Sequence, residues 1–364
     1  GSCIVIDPKG ENARITATRR GDGSAACDGL GQAVCVLDPY NVSGVSADLR
    51  GSWNPLDLLH EDDDLIVDHA ASIAAALVVT TKTEDAHWDE TARQFIKALI
   101  LYVALNHAGR NTRNLLTVHR LLMRGARDQL EADRGGPPGP NDPDPFRYLL
   151  RLMEEDDRLD GVIAGAASML LDMGDREFGS VLSNARRNLE WLERRAMRRV
   201  VERSTIDLSA LKTDPLGVTV YLCLPPARMA DCGRWLRLVI QAALERCYAI
   251  DDPPATGHPI LFLLEEFPVL RHMEIIETAA GYAAGFGVKL WVIIQDLSQL
   301  KRHYKDGWET FIGNAGVIQA FGNSDATTLD YLSKRLGEIE VSQSVLNTTT
   351  SLSASSNDPG EFQR

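Results

Sequence analysis

Two apolar runs that each stop at a polar pair constrain this chain most. Ile260-Leu261-Phe262-Leu263-Leu264 is followed at once by Glu265-Glu266, and Val288-Lys289-Leu290-Trp291-Val292-Ile293-Ile294 by Gln295-Asp296. Apolar runs of this length fit strands buried on both faces, the habit of parallel sheets covered by helices. A helical stretch separates them, as a strand–helix–strand unit requires. In doubly wound sheets, ligands sit beyond the carboxyl ends of the strands, where these acids and this amide would emerge. Such groups suit nucleotide hydrolysis: acceptors for hydrated Mg²⁺, a base for water and a sensor for the γ-phosphate. Two core strands with polar ends and no chemistry would give the same pattern.

Composition narrows the partners. The 364 residues suffice for one large domain or two ordinary ones, and 44% hydrophobic with 24% charged residues is a globular balance. A net charge of −13 argues against a generally basic nucleic-acid surface, though not against a local basic channel. No apolar run reaches the length of a membrane span, and Gly1-Ser2-Cys3 begins no signal peptide. The chain drops straight into a strand, which suggests that the natural protein begins earlier. The cysteines at 3, 27, 35, 223, 232 and 247 form no CxxC or zinc spacing, which points to a reducing, cytosolic compartment. The eight histidines are scattered.

Three blocks follow one another. Residues 1–59 alternate strand and helix: Cys3–Ile6, a polar helix to about Arg20, then Ala33–Leu37, each strand stopped by an Asp-Pro pair. Residues 60–205 carry the 3.6-residue period almost throughout, with a long helix from about Asp89 and shorter ones centred on Leu116, Leu149, Ala166 and Leu189. A Pro/Gly-dense loop at 135–143 interrupts them. Residues 206–345 return to alternation: strand Val218–Leu224, helix Arg234–Tyr248, the Glu265 strand, helix Glu274–Ala284, the Gln295 strand, helix Leu297–Tyr304, strand Val317–Phe321 and helix Ala326–Leu336. The Ser/Thr-rich stretch from Val341 holds one further edge strand at most, and 346–364 reads as a flexible tail. The fold class is therefore α/β, a mostly parallel, three-layer sheet with an all-α block inserted in it.

No GxxxxGK[ST] phosphate loop occurs, and Lys82-Thr83 lacks its glycines. Resemblance to a known family accounts for this. Ile4-Val5-Ile6-Asp7-Pro8-Lys9-Gly10-Glu11 is similar to the strand that follows the P-loop helix in the TraG/VirD-type coupling proteins of type IV secretion, the ATPases of conjugation and effector export. Trp53-Asn54-Pro55-Leu56, the helix start His87-Trp88-Asp89-Glu90-Thr91-Ala92-Arg93, the Walker B-like Phe262–Pro268 and the sensor-like Ile293–Leu300 match in the same order, and Gly313-Asn314 resembles the turn after the sensor. The resemblance runs from residue 3 to about 341.

That resemblance implies a RecA-like P-loop NTPase sheet carrying an all-α domain, a homo-hexameric ring at the cytoplasmic face of the bacterial inner membrane, and ATP with Mg²⁺ as ligands. It implies a membrane anchor and a P-loop upstream of residue 1, so the chain reads as a piece of a longer protein. The partners implied are DNA–relaxase complexes or effector proteins, and the components of the secretion channel. Glu266 would be the base for the attacking water, Glu265 would hold Mg²⁺ through a water, and Gln295 would sense the γ-phosphate. Asp7 and Lys9 would border the nucleotide, although a surface salt bridge suits Lys9 equally. Arg271 and Arg302 are candidates for an arginine finger, with ordinary solvated arginines as the alternative. The family's usual Asp-Glu is Glu265-Glu266 here, which changes reach rather than charge. The missing P-loop puts hydrolysis by this chain alone in doubt. Arg194-Arg195-Ala196-Met197-Arg198-Arg199 is either a cationic helix end favoured by the macrodipole or a contact for DNA phosphates or an acidic tail. A non-catalytic docking piece, or another RecA-like DNA translocase, are the competing functions.

Overall fold

The computed structural model describes residues 1–79, 86–107, 109, 111–137, 139 and 142–338. Seven strands occur among them: β1 Cys3–Ile6, β2 Gly23–Ser24, β3 Cys27–Asp28, β4 Ala33–Leu37, β5 Val218–Leu222, β6 Ile260–Leu264 and β7 Val288–Val292. Strands β2 and β3 form a minimal hairpin, and the other five form one parallel sheet in the order β4-β5-β1-β6-β7. The helices are α1 Glu11–Arg20, α2 Ile66–Leu77, α3 Ala86–Asn106, α4 Leu115–Arg124, α5 Arg127–Arg134, α6 Pro145–Glu154, α7 Val162–Leu171, α8 Asp175–Leu189, α9 Arg195–Arg199, α10 Ala210–Thr213, α11 Pro226–Tyr248, α12 Glu274–Tyr282, α13 Leu297–Tyr304, α14 Trp308–Gly313 and α15 Ala326–Leu336. Everything regular between β4 and β5 is helical among the described residues.

Alternation along β1 divides the core. Ile4 and Ile6 point to one face and join an apolar cluster that continues through α2, α3, α8 and α11. Cys3 and Val5 point to the other face, where α1 packs with only Ala13 and Ala17 buried. Small residues let the otherwise polar α1 lie close to the sheet, so little apolar area is needed on that side. Among the described residues no helix is long and apolar enough to cross a membrane, and all six cysteines are free.

Both Asp-Pro pairs that end strands close tight loops. Asp7 accepts the Ala13 N–H at 2.8 Å, and Asp38 accepts Val42 N–H at 3.0 Å and Ser43 N–H at 2.8 Å. The two loops press together at Gly10, whose φ of +67° is left-handed and whose Cβ, if present, would lie 2.4 Å from Ser43 Cα. Only glycine fits that contact.

Three sequence expectations are corrected. The run 288–294 is not buried on both faces: β7 is the edge of the sheet, Lys289 is exposed and Trp291 is 51% exposed. Val317–Phe321 forms no strand and pairs with none of the described strands; Val317 and Phe321 are exposed. Helix α11 starts at Pro226 rather than Arg234, since a proline at the first helical turn forfeits no hydrogen bond. Lys82, Thr83 and the stretch from Val341 lie outside the described residues, as do parts of the loop 135–143.

Gly10→Ala is expected to lower the unfolding free energy by about 2 kcal/mol or more, since it adds left-handed strain to a backbone clash. Urea titration followed by circular dichroism measures it.

Candidate nucleotide-binding rim

Strands β6 and β7 run parallel in register from Ile260↔Val288 to Leu264↔Val292. The pairing continues past the strand ends, with Ile293 N–H to Leu264 O at 3.1 Å and Phe267 N–H to Ile293 O at 3.2 Å. Glu265-Glu266 and Gln295 therefore leave adjacent strands at the same edge of the sheet. Asp7 leaves β1, the neighbour of β6 on its other side.

Each carboxylate has a different setting. Glu265 is half-buried, and its Oε1 accepts a hydrogen bond from Asn12 Nδ2 at 2.9 Å. Asn12 sits in the first turn of α1, two residues past Gly10, so the loop after β1 reaches across to the acidic strand. Glu266 is exposed and has φ 49° and ψ 42°, a left-handed conformation that a non-glycine residue adopts only under constraint. The constraint is Phe267, which is buried and stacked on Tyr304 with ring centroids 5.7 Å apart and planes 8° apart. With Phe267 anchored, the preceding backbone must turn and carry Glu266 outward.

Asp7 is buried, and its role in the fold is to hold the loop. Burial pushes its carboxyl above the ordinary carboxylate range, against the backbone N–H groups of Ala13, Asn12, Glu11 and Gly10, which pull it down. Lys9 is exposed at the tip of the same loop with no acid within 4.0 Å among the described residues, so a structural ion pair is not its use here. Gln295 is exposed, and its N–H donates to Gln299 Oε1 at 3.0 Å. Asp296 caps α13 by accepting Gln299 N–H at 3.0 Å, and the Ser298 hydroxyl, chiefly, holds its carboxyl below the usual range. Adjacent in sequence, Gln295 is exposed at the strand end while Asp296 serves the helix.

Arg271 and Arg302 are both exposed, and the charge of each acts on His303. Burial first, then Arg302, Arg271 and His272, hold that imidazole below its ordinary value, so it is neutral at neutral pH. Sequence reasoning missed Asn12, whose only signal was its place directly after Glu11 in the strand-end loop. It also missed Arg237. This buried α11 residue donates from Nε to Ala76 O at 3.1 Å and from Nη1 to His272 O at 2.8 Å and to Leu270 O. It ties the end of α2 to the loop that follows Glu266. Burial lowers its pKa to about 10, which leaves it cationic.

No cluster of three or more His, Cys, Asp or Glu side chains at metal-ligand spacing occurs among the described residues. One half-buried carboxylate with acceptor capacity left over fits a Mg²⁺ ion that keeps its waters and completes its shell with phosphate oxygens.

A five-stranded parallel sheet covered by helices, with acids and an amide on neighbouring strand ends, has the α/β architecture of the RecA-like class. The structure of the plasmid coupling protein TrwB in complex with the non-hydrolysable ATP analogue ADPNP superimposes with a TM-score of 0.58 at 14% identity, covering 86% of this chain and 62% of that one. TrwB in complex with ADP and Mg²⁺ gives 0.57 at 14% identity, over 86% of this chain and 62% of that one. The family model described as type IV secretory system conjugative DNA transfer matches residues 1–363, and the chain belongs to that family. Conjugal transfer protein TraG of Escherichia coli is 26% identical over 361 residues, 96% of this chain and 52% of TraG. Protein VirD4 of Rhizobium radiobacter is 36% identical over 139 residues, 37% of this chain and 19% of VirD4. The chain spans about half the length of the TraG relatives it matches.

Glu266→Gly is expected to hold or raise stability, by up to about 1 kcal/mol, because glycine removes the left-handed strain. Phe267→Ala should cost about 3–5 kcal/mol by emptying the site that enforces the turn. Thermal and urea unfolding of the two variants would show the opposite signs. For Asp7, a folded-state pKa raised by burial makes its contribution shrink as pH climbs from the unfolded value through the raised one. The stability of the parent relative to Asp7→Asn should therefore fall as pH rises above about 4, read from urea midpoints at each pH.

Proposed function

We propose that this chain carries the hydrolytic rim of a coupling ATPase whose turnover drives conjugative DNA transfer. The observation that supports it is the delivery of Glu265, Glu266 and Gln295 to one edge by two adjacent parallel strands. In the proposed reaction Glu266, exposed on its strained turn, takes the proton of the attacking water. Glu265, oriented by Asn12, would hold the hydrated Mg²⁺, which when bound neutralises phosphate charge. Gln295 donates from its amide to a γ-phosphate oxygen, and Lys9 brings positive charge to the same edge. Asp7 acts through the loop it closes, setting where Lys9 and Asn12 stand.

The wider assembly is proposed on the same basis. Matching relatives are named as conjugal transfer proteins, which supports DNA–relaxase complexes as cargo and the type IV secretion channel as destination; effector proteins are the other cargo class. A homo-hexamer at the cytoplasmic face of the inner membrane would bring Arg271 or Arg302 of one subunit toward the nucleotide of the next. Such a cation in trans contributes ~10³–10⁵ in rate in other nucleotide hydrolases.

In the whole protein, Glu266→Gln is expected to lower kcat for ATP by ~10²–10⁴ while the affinity for a non-hydrolysable analogue stays within about threefold. Steady-state phosphate release and analogue titration give the two numbers. An unchanged kcat would remove the assignment and leave the docking role.

A further inference from the structure

The opposite side of the sheet carries a second polar site. Beyond the carboxyl end of β4 lies a cavity of about 520 Å³, lined by Tyr40, Asn41, Ala47, Arg50, Ala196 and Arg199, among others. Strands β5 and β1 stand between β4 and β6, so at ~4.8 Å per strand the cavity lies on the order of 14 Å from the Glu265 rim. Its walls are fixed to each other. The segment after β4 is tied back by Gly51 N–H to Val36 O at 3.0 Å, and Trp53 N–H bonds Val200 O at 2.8 Å, which anchors the end of α9.

Charge distinguishes this cavity from the rest of an acidic chain. Arg50 bonds the neutral Asn41 Oδ1 at 3.0 Å, and neither Arg50 nor Arg199 has an acid within 4.0 Å among the described residues. Arg228 lies over the Tyr40 ring at 6.0 Å from its centroid. Arg194, the first of the basic run, is by contrast neutralised by Asp231 at 2.7 Å. Several acids are near in sequence; of these Glu193 and Glu202, which flank Arg199, are exposed and within 4.0 Å of neither arginine. Asp38 lines the cavity but is occupied by Val42 N–H, Ser43 N–H and the Ser43 hydroxyl, the last at 2.6 Å. Asp48 is exposed, with the Ser46 hydroxyl as its partner. The Tyr40 phenol, raised to about 12 by burial and by Cys232, adds no negative charge.

We propose that this cavity binds a nucleotide phosphate, with Arg50 and Arg199 as its clamp and Tyr40 as the wall for the attached base. Guanidinium forks match phosphate oxygens in pairs. An aromatic wall beside them favours a base-bearing ligand over an acidic peptide. The volume suits one nucleotide unit, whether within a nucleic-acid strand or free. The site stands independently of the hydrolytic rim, and the proposal is tested by binding rather than by turnover.

The test is fluorescence anisotropy of a labelled 12-nucleotide single strand and of a labelled ATP analogue, across a salt series. The parent chain is compared with Arg50→Glu/Arg199→Glu and with the neutral Arg50→Gln/Arg199→Gln. Charge reversal is expected to weaken ligand binding at least tenfold, the neutral pair less but in the same direction. For the strand, loss of two phosphate contacts should shallow the salt slope by about 1.4. Loss confined to the strand identifies polynucleotide phosphates, and parallel loss of the ATP analogue identifies a mononucleotide. Unchanged affinity for both ligands with native circular dichroism would overturn the proposal. So would no binding by the parent, or an effect seen only with a poly-glutamate peptide.

Discussion

The four residues of β1 hold the two halves of the chain together. Residues 3–6 pair on one side with Thr219–Leu222 and on the other with Leu261–Leu264, all in parallel. Without β1, strands β5 and β6 would lose their common neighbour, and the loop bearing Asp7, Lys9 and Asn12 would have no fixed relation to Glu265. The hydrogen bond from Asn12 to Glu265 is the local expression of that pairing. An acidic strand from late in the chain is thus tuned by a loop from its start. Parallel pairing makes this possible, because it delivers every strand end to one edge.

Holding that edge in shape requires internal ties. Phe267, packed against Tyr304 and Phe311, fixes the turn that Glu266 must adopt. Arg237 then fixes the loop beyond it, taking three carbonyls from two segments. One of those segments is the end of α2, within the helical stretch between β4 and β5. A buried guanidinium without a carboxylate partner is costly unless its donors are satisfied, so α2 and the loop must both be in place for it to be stable. The helical stretch and the acidic rim are consequently linked by a polar contact as well as by the apolar cluster they share.

Much of the fold was legible in residue pattern. Strands β1 and β4 and helix α13 fall at the limits the sequence implies, because Asp-Pro pairs and an Asp cap punctuate them clearly. What pattern could not convey was the neighbourhood. The run 288–294 has the residues of a central strand, yet burial depends on what lies beyond the edge of the sheet, and β7 ends it. Val317–Phe321 shows the same limit: strand-forming residues make no strand without a partner backbone. At the rim, Glu265, Glu266 and Gln295 could be placed together from strand ends alone. Asn12 and Arg237 could not, since their partners lie far off in sequence. The basic run 194–199 carried two meanings that only neighbours separate: Arg194 meets Asp231, and Arg199 meets a cavity.

The separation of β1 from its partners has a consequence for the newborn protein. Synthesis at ~5–20 residues per second leaves the ribosome about 10–40 s between making β1 and making β5. During that interval the observed partners of β1 and β4, strands β5 and β6, do not yet exist, so the paired edges seen in the folded sheet are open to any other strand edge nearby. The helices α2 to α8, whose contacts are local, form in the meantime. The parallel sheet can therefore close around β1 only after the helical stretch between β4 and β5 has already been made.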